Sequence, residues 1–375
     1  MPEGNGGMMD YRSDKRIVMT LDAGGTNFVF TAFRGMEQIL DEITLPSNAD
    51  NLDRCLQTIV EGFEAVRKKL PAPPVAISFA FPGPADYPRG IIGDLPNLPA
   101  FRGGVALGPF LENRFSLPVF INNDGDLYAY GEAIAGFLPY LNGLLEKRGS
   151  TKRFKNLLGL TLGTGFGAGI VRDGRLFLGD NSIAGEIWLV RNKINPKINI
   201  EEGASIRAVR RVYARESGIP FESSPTPKEI FEIGTGKIPG NRAAARMAFE
   251  ELGEAAGDAI SNAITLIDGL VVIGGGLAGA SELFLPRLVE EMNGRFERPD
   301  GSTFRRLVAN VYNLEDPRAL DQFLRGSQKE VTVYGTSRKV SYDPEMRIGV
   351  GISKIGTSKA IALGACAFAL SSLDS

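Results

Sequence analysis

Apolar positions along the chain fall into short runs closed by glycine turns, alternating with longer stretches at helical spacing. Residues 16–21 (RIVMTL) lead at once into DAGGTN and then FVFTAF, which predicts strand, tight glycine turn, strand. Over residues 51–70, Leu52, Leu56, Ile59, Val60, Phe63 and Val66 recur at helical spacing, and the prolines within 71–74 end that helix. VAISFAFPGP predicts a buried strand running into a loop. Residues 86–104, rich in Pro, Gly and Asn, predict a long functional loop. LPVFINND is a further strand ending on two asparagines and an aspartate, and residues 126–138 predict a helix. The basic residues Lys147, Arg148, Lys152, Arg153 and Lys155 mark 139–156 as a solvated surface insertion, with a subunit or anion contact as the sharper alternative. Residues 157–171 (LLGLTLGTGFGAGIV) repeat the strand–glycine turn–strand layout, a hint of internal duplication. A long Ala-rich helix over 242–267, the strand and turn LVVIGGGLAG, and a closing helix GTSKAIALGACAFALSSL complete the pattern. Residues 300–347 are polar and irregular. Strand–helix alternation of this kind implies an α/β fold.

Length turns this pattern into about two domains, because a single core stops growing near 250–300 residues and the chain has 375. The 42 basic and 44 acidic residues leave a net charge of -2, so no broad positive field is available for general nucleic-acid binding. Histidine is absent altogether, which excludes Ser-His-Asp and Cys-His machinery and any His-containing zinc site. Two cysteines, Cys55 and Cys366, make neither a disulfide framework nor a four-Cys site, and a reducing, cytoplasmic compartment is the expectation. The first ten residues, MPEGNGGMMD, lack the apolar stretch of a signal peptide, and no run of about 18 apolar residues predicts a membrane span.

Candidate chemistry sits at the turns. Asp22 ends the first strand, and Gly24, Gly25 and Thr26 follow it. Adjacent glycines let backbone N–H groups approach a polyanion, Thr26 adds a donor, and Asp22 is able to hold a water of a Mg²⁺ shell. Gly163, Thr164 and Gly165 offer a second turn of the same kind; for each turn the plain alternative is a hairpin. Gly274, Gly275 and Gly276 exclude side chains after LVVI, so a flat ligand fits against the backbone there. Neither the dinucleotide fingerprint GxGxxG nor GxxxxGK[ST] is present. Asn123 and Asp124 end a strand at the side where α/β folds bind ligands; Asp124 is a candidate base, with an Asx turn or helix cap as the structural alternative. Glu186 and Glu201 are carboxylates suited to sugar hydroxyls, or ordinary surface residues.

Taken in order, LDAGGTN, FPGP, PNLP, NND before a helix, LTLGTGFGAGIV, AGEI, IEEGAS and VVIGGG resemble the ROK (repressor, open reading frame, kinase) family, in the actin–hexokinase-like ATPase superfamily. The resemblance spans residues 16–285 and the C-terminal helix. It implies a two-domain actin-like (ribonuclease H-like) α/β fold with ATP and a hexose meeting in a cleft between domains. A disordered tail over 1–15, an N-terminal domain over 16–125 completed by 357–375, and a larger C-terminal domain over 126–356 are the expected organisation. The resemblance makes Asp22, Gly24, Gly25 and Thr26 the first phosphate segment, with Mg²⁺ held by Asp22 through water. Gly163, Thr164 and Gly165 become the second segment, and Gly274 and Gly275 face the adenosine. Asn123, Glu186, Glu201 and Asn97 become sugar contacts, and Asp124 the general base for the sugar hydroxyl. A homodimer is implied as well.

Departures from the pattern are equally legible. The family has GEIGH followed by a CxCGxxGC zinc cluster; here GEIWL puts Trp188 and Leu189 at the Gly and His positions, and the cysteine cluster is missing. No structural zinc is expected. Trp188 reads first as a core or cleft-wall residue, with stacking on a sugar face as the sharper alternative. An ATP- and Mg²⁺-dependent hexose kinase, acting on the 6-hydroxyl by resemblance, is the leading expectation. A ROK repressor requires a helix-turn-helix ahead of the first phosphate motif, which some fifteen residues beginning MPEGNGG are too short to hold. A sugar- or nucleotide-binding member without catalysis is the remaining alternative.

Overall fold

Strand β1 (Ile17–Ala23) and strand β2 (Asn27–Arg34) form the predicted first hairpin, paired antiparallel from Ile17↔Arg34 to Ala23↔Phe28. They belong to a computed structural model that describes residues 11–95 and 98–375. The chain divides into two units: residues up to Gly136 with Gly169–Gly185 and Ile355–Ser375, and Phe137–Ala168 with Glu186–Lys354.

In the first unit, β3 (Glu37–Gln38) and β4 (Ile43–Pro46) pair with β2, and helix α1 (Leu52–Lys69) follows. Asn51 caps α1 by accepting from the Arg54 N–H at 3.0 Å, and Arg67, Lys68 and Lys69 lie in its last turn, where cations suit the helix dipole. Its face of Cys55, Ile59, Phe63 and Val66 is fully buried in one core with Met19, Phe28, Phe30, Ile77 and Phe79. Strand β5 (Ala76–Ala80) runs parallel to β1; the loop beyond it carries the short ladder β6 (Ala85–Asp86) and β7 (Ile91–Ile92). Helix α2 (Leu107–Phe115), strand β8 (Val119–Asn122) and helix α3 (Asp124–Ile134) follow, giving the sheet order β3-β2-β1-β5-β8.

The second unit opens with helix α4 (Phe137–Lys147) and strand β9 (Leu157–Leu162). Strand β10 (Phe166–Arg172) begins there and leaves it at Ala168; with β11 (Arg175–Phe177) it forms a hairpin counted with the first unit. Helices α5 (Ile206–Ser217), α6 (Pro227–Thr235) and α7 (Arg242–Ile267) precede strand β12 (Leu270–Gly274) and helix α8 (Ser281–Met292). Then come the ladder β13 (Arg295–Glu297) with β14 (Thr303–Arg305), strand β15 (Asn310–Asn313), helix α9 (Pro317–Arg325), the exposed hairpin β16 (Lys329–Thr332) with β17 (Lys339–Tyr342), and strand β18 (Arg347–Ile352). Helix α10 (Thr357–Leu373) returns to the first unit. The second sheet has the order β11-β10-β9-β12-β18-β15, with β9, β12, β18 and β15 all parallel. Its β11-β10-β9-β12-β18 repeats the order β3-β2-β1-β5-β8 of the first, the duplication that the two glycine hairpins hint at.

Four expectations need correction. Residues 11–15 are not tail: Tyr11–Ser13 form a helical turn with Tyr11 buried, and Arg16 bonds Asp14 and Asp374; residues 1–10 lie outside the description. The helix expected over 126–138 starts at Asp124, capped by Asn123, and the first unit extends to Gly136 beyond the expected 125, because α3 packs on α10. The stretch 139–156 is no surface insertion throughout. Leu138, Leu141 and Leu145 bury one face of α4, and Asn142 holds the following loop through the Phe154 N–H and C=O. Residues 300–347 are not irregular: β15 pairs with β18, and the buried Arg306 anchors the segment to Glu291 at 2.8 Å and Asp258 at 2.5 Å. Its polarity hides this order, because buried ion pairs replace apolar periodicity.

Candidate active site

Strand β8 delivers Asn123 and Asp124 to the N-terminus of α3. The Asn123 Oδ1 accepts from the Gly125 N–H at 2.7 Å and the Asp124 Oδ1 accepts from the same N–H at 2.9 Å. The capping role foreseen as the plain alternative is therefore real for Asn123. It uses only the amide oxygen and leaves the Nδ2 group with two N–H donors. The position of α3 is fixed by absent side chains. A Cβ on Gly169 would lie 2.5 Å from the Gly125 carbonyl oxygen, and one on Gly131 would lie 1.9 Å from that of Ala360.

Asp22 stands at the end of β1, in register with Ala80. Both carboxylates reach solvent, yet protein surrounds them closely. Loss of hydration raises the Asp124 pKa, against the opposing pull of backbone N–H groups. Asp22 is raised too, first by burial and then by the charges of Asp124 and Glu42. The charge of Asp124 thus bears directly on Asp22. The Gly24–Thr26 turn between them in sequence is held by Ser47, whose Oγ donates to the Gly25 carbonyl at 2.7 Å and whose N–H donates to that of Thr26 at 2.9 Å. A Cβ at Gly25 would meet nothing within 4 Å, so that turn is open to a ligand.

In the second unit the two remaining glycine turns come together: a Cβ on Gly163 would lie 3.9 Å from the Gly276 nitrogen. Gly275 has φ +87°, and a Cβ there would strike the Leu162 backbone at 2.3 Å, so glycine is required for the β12 turn to lie against β9. Gly274 is buried in the ladder opposite Thr161, which leaves Gly275 and the exposed Gly276 as the accessible part. The Gly163–Gly165 turn is latched by Glu201. Its Oε2 accepts from the Phe166 N–H at 3.2 Å and its Oε1 from Arg207 at 3.1 Å, and Arg207 also reaches the Thr164 carbonyl at 3.3 Å. Both Glu201 oxygens thus serve the turn, a role the sequence did not foresee beside the sugar contact expected of it. Arg207 was missed in the sequence; the signal was an acidic pair, Glu201–Glu202, followed by Arg207 and Arg211 on one helix face.

Glu186 precedes a single 3₁₀ turn, Ile187–Leu189, and its carboxylate accepts from the Trp188 Nε1–H. Trp188 is 36% exposed, so of the core or cleft-wall places expected first it does not take the core. Asn97 lies outside the described residues. Among the described residues no cluster of three or more His, Cys, Asp or Glu suits a metal, and no helix is long and apolar enough to cross a membrane.

The model of the ROK family matches residues 18–313. A crystal structure of glucokinase from Parabacteroides distasonis is 60% identical and superposes with a TM-score of 0.89, covering 97% of this chain and 99% of that one. Glucokinase from Thermotoga maritima is 28% identical over 295 residues, 74% of this chain and 87% of its own length. The xylose repressor of Caldicellulosiruptor bescii is 26% identical over 330 residues, 82% of this chain and 75% of the relative.

Proposed function

This chain belongs to the ROK family, and from that premise we propose that it is an ATP-dependent hexose kinase of the glucokinase type, transferring the γ-phosphoryl group to a sugar hydroxyl. The observation that carries the reading is the electrostatic coupling of Asp22 and Asp124 at the ends of β1 and β8. A desolvated carboxylate at a helix N-terminus is a base held ready, and a second one beside it creates a demand for a cation.

In this reading Asp124 accepts the proton of the attacking hydroxyl, the 6-hydroxyl by family likeness. An aspartate suffices because the proton moves late in a loose phosphoryl-transfer transition state. Asn123 donates from Nδ2 to a sugar hydroxyl, and Glu186 accepts from another. Asn97 is a further sugar contact. Backbone N–H groups of Gly24, Gly25 and Thr26, and of Thr164 and Gly165, serve phosphate oxygens, while the Gly163 N–H donates to the Gly165 carbonyl at 3.0 Å and shapes the second turn. Of the third glycine run, Gly275 and the exposed Gly276 give the adenosine a bare backbone, with Gly274 buried behind them in the ladder. Mg²⁺ fits the donor set: hard carboxylate oxygen, few protein ligands, and an unbalanced negative charge. Asp22 would hold it through water, and when bound it neutralises charge building on the transferred group. Two unpaired buried thiols, Cys55 and Cys366, fit action in the cytoplasm, and the family likeness favours a homodimer.

The test is ADP formation from Mg-ATP across a panel of hexoses and N-acetylhexosamines. Stimulation by one sugar names the substrate. ADP release unaffected by every sugar, with ATP or a sugar still raising the melting temperature, leaves a binding protein without catalysis.

Two further outcomes are expected. Glu201→Ala releases the second phosphate turn and raises KM for ATP on the order of tenfold, the effect of about 1.4 kcal/mol, while KM for the hexose moves less than about twofold. Steady-state kinetics with each substrate varied separates this from a sugar-binding role. The rate also carries an acid limb. Burial raises the Asp124 pKa, so the ionised base is lost as pH falls through a value above the usual ~3.9 of aspartate. A kcat profile flat down to about pH 4 contradicts this.

A further inference from the structure

Trp188 is the one tryptophan of the chain, and its Nε1–H donates to the carboxylate proposed to bind the sugar, that of Glu186. The ring is not filling a core: it is 36% exposed, and Leu189 beside it is 60% exposed. An exposed Leu alone needs no explanation. A large, partly exposed aromatic ring that turns its one polar atom onto a carboxylate does, because the bond spends the only hydrogen-bonding group of the indole and leaves it purely apolar faces. The turn beneath is rigid: Ile187 is buried, the Val190 N–H donates to the Ile187 carbonyl at 3.0 Å, and the Ile200 N–H donates to the Val190 carbonyl at 2.7 Å.

We infer that Trp188 is a specificity-determining residue that orients Glu186 and offers an apolar platform to the C–H face of the hexose. This rests on the sugar role of Glu186. With Oε2 engaged by the indole, Oε1 is the oxygen left to accept from a sugar hydroxyl, and its direction is set by the ring. A hexose ring is polar at its rim and apolar across its axial C–H groups, so one carboxylate oxygen and one aromatic face together read both features. Substitutions on the sugar that thicken the face toward the ring are thereby selected against.

The test uses the intact enzyme, with D-glucose and N-acetyl-D-glucosamine as probes. Without nucleotide, the accepted sugar changes the emission of the single tryptophan saturably. Trp188→Phe, which keeps a ring and loses the N–H, raises KM for the hexose about tenfold, and Trp188→Leu raises it further. KM for ATP stays within about twofold in both. Turnover of a hexose with no emission change, or with hexose KM within about twofold of the parent in both variants, overturns the inference and leaves the kinase reading standing. A saturable emission change without turnover upholds it and overturns the kinase reading. Neither emission change nor turnover overturns both.

Discussion

Asp124→Asn lowers kcat on the order of 10²–10⁴-fold, the usual yield of a positioned general base. The substitution keeps the shape and the Oδ1 acceptor for the Gly125 N–H, so the start of α3 survives. It removes only the proton-accepting oxygen. KM for the hexose moves little, because Asn123 still presents its Nδ2 donors. Stability provides an independent check with a defined sign. Burial raises the Asp124 pKa, so its folded-state contribution is favourable at low pH and lost as pH rises through the raised value. At neutral pH the ionised carboxylate costs stability, and Asp124→Asn leaves the melting temperature unchanged or higher. A variant with near-parental kcat, or one with a falling melting temperature that accounts for lost activity, removes Asp124 from the role of base.

Gly364→Ala destabilises the protein by about 3 kcal/mol or more, at the upper end of what overpacking costs. Helix propensity alone argues the opposite, since Ala is favoured over Gly by about 1 kcal/mol in a helix interior. Tertiary contact decides the sign. A Cβ on Gly364 would stand 1.9 Å from the Leu127 carbonyl oxygen, and Gly131 meets the Ala360 carbonyl at the same distance from the other side. These atoms belong to the backbones of α3 and α10, so no rotamer change relieves the clash and the helices must part. Asp124 begins α3, so activity falls with stability. Chemical denaturation with parallel rate measurements tests this. A Gly364→Ala variant at least as stable as the parent contradicts the close packing of α3 on α10.

Much of the proposed site was legible because glycine turns leave a backbone signature in the sequence. Glycine runs after apolar strands are local features: Asp22 stands near the end of β1, and Gly24, Gly25, Gly163, Gly165 and Gly275 stand in the turns where the runs predict them. The Asn123–Asp124 pair at a strand end was legible for the same reason, including its capping alternative. Long-range pairing was less visible. The latch role of Glu201 was invisible in the sequence because its partners, the Phe166 N–H and Arg207, are brought together only by folding. Trp188 read as a core or cleft-wall residue, and its bond to Glu186 was not visible because it depends on a turn of three residues.

By itself the sequence determined the α/β alternation, the two glycine hairpins, the lack of any histidine to act, and the carboxylates available to act. These follow from composition and from periodicities of two and 3.6 residues, which are set by covalent geometry. Tertiary structure decided which carboxylate is desolvated and which latches a turn, and where α3 ends. It also decided that the polar stretch 300–347 is ordered around Arg306. Desolvation, charge coupling and backbone contact depend on groups far apart in the chain, and no local pattern encodes distance between them.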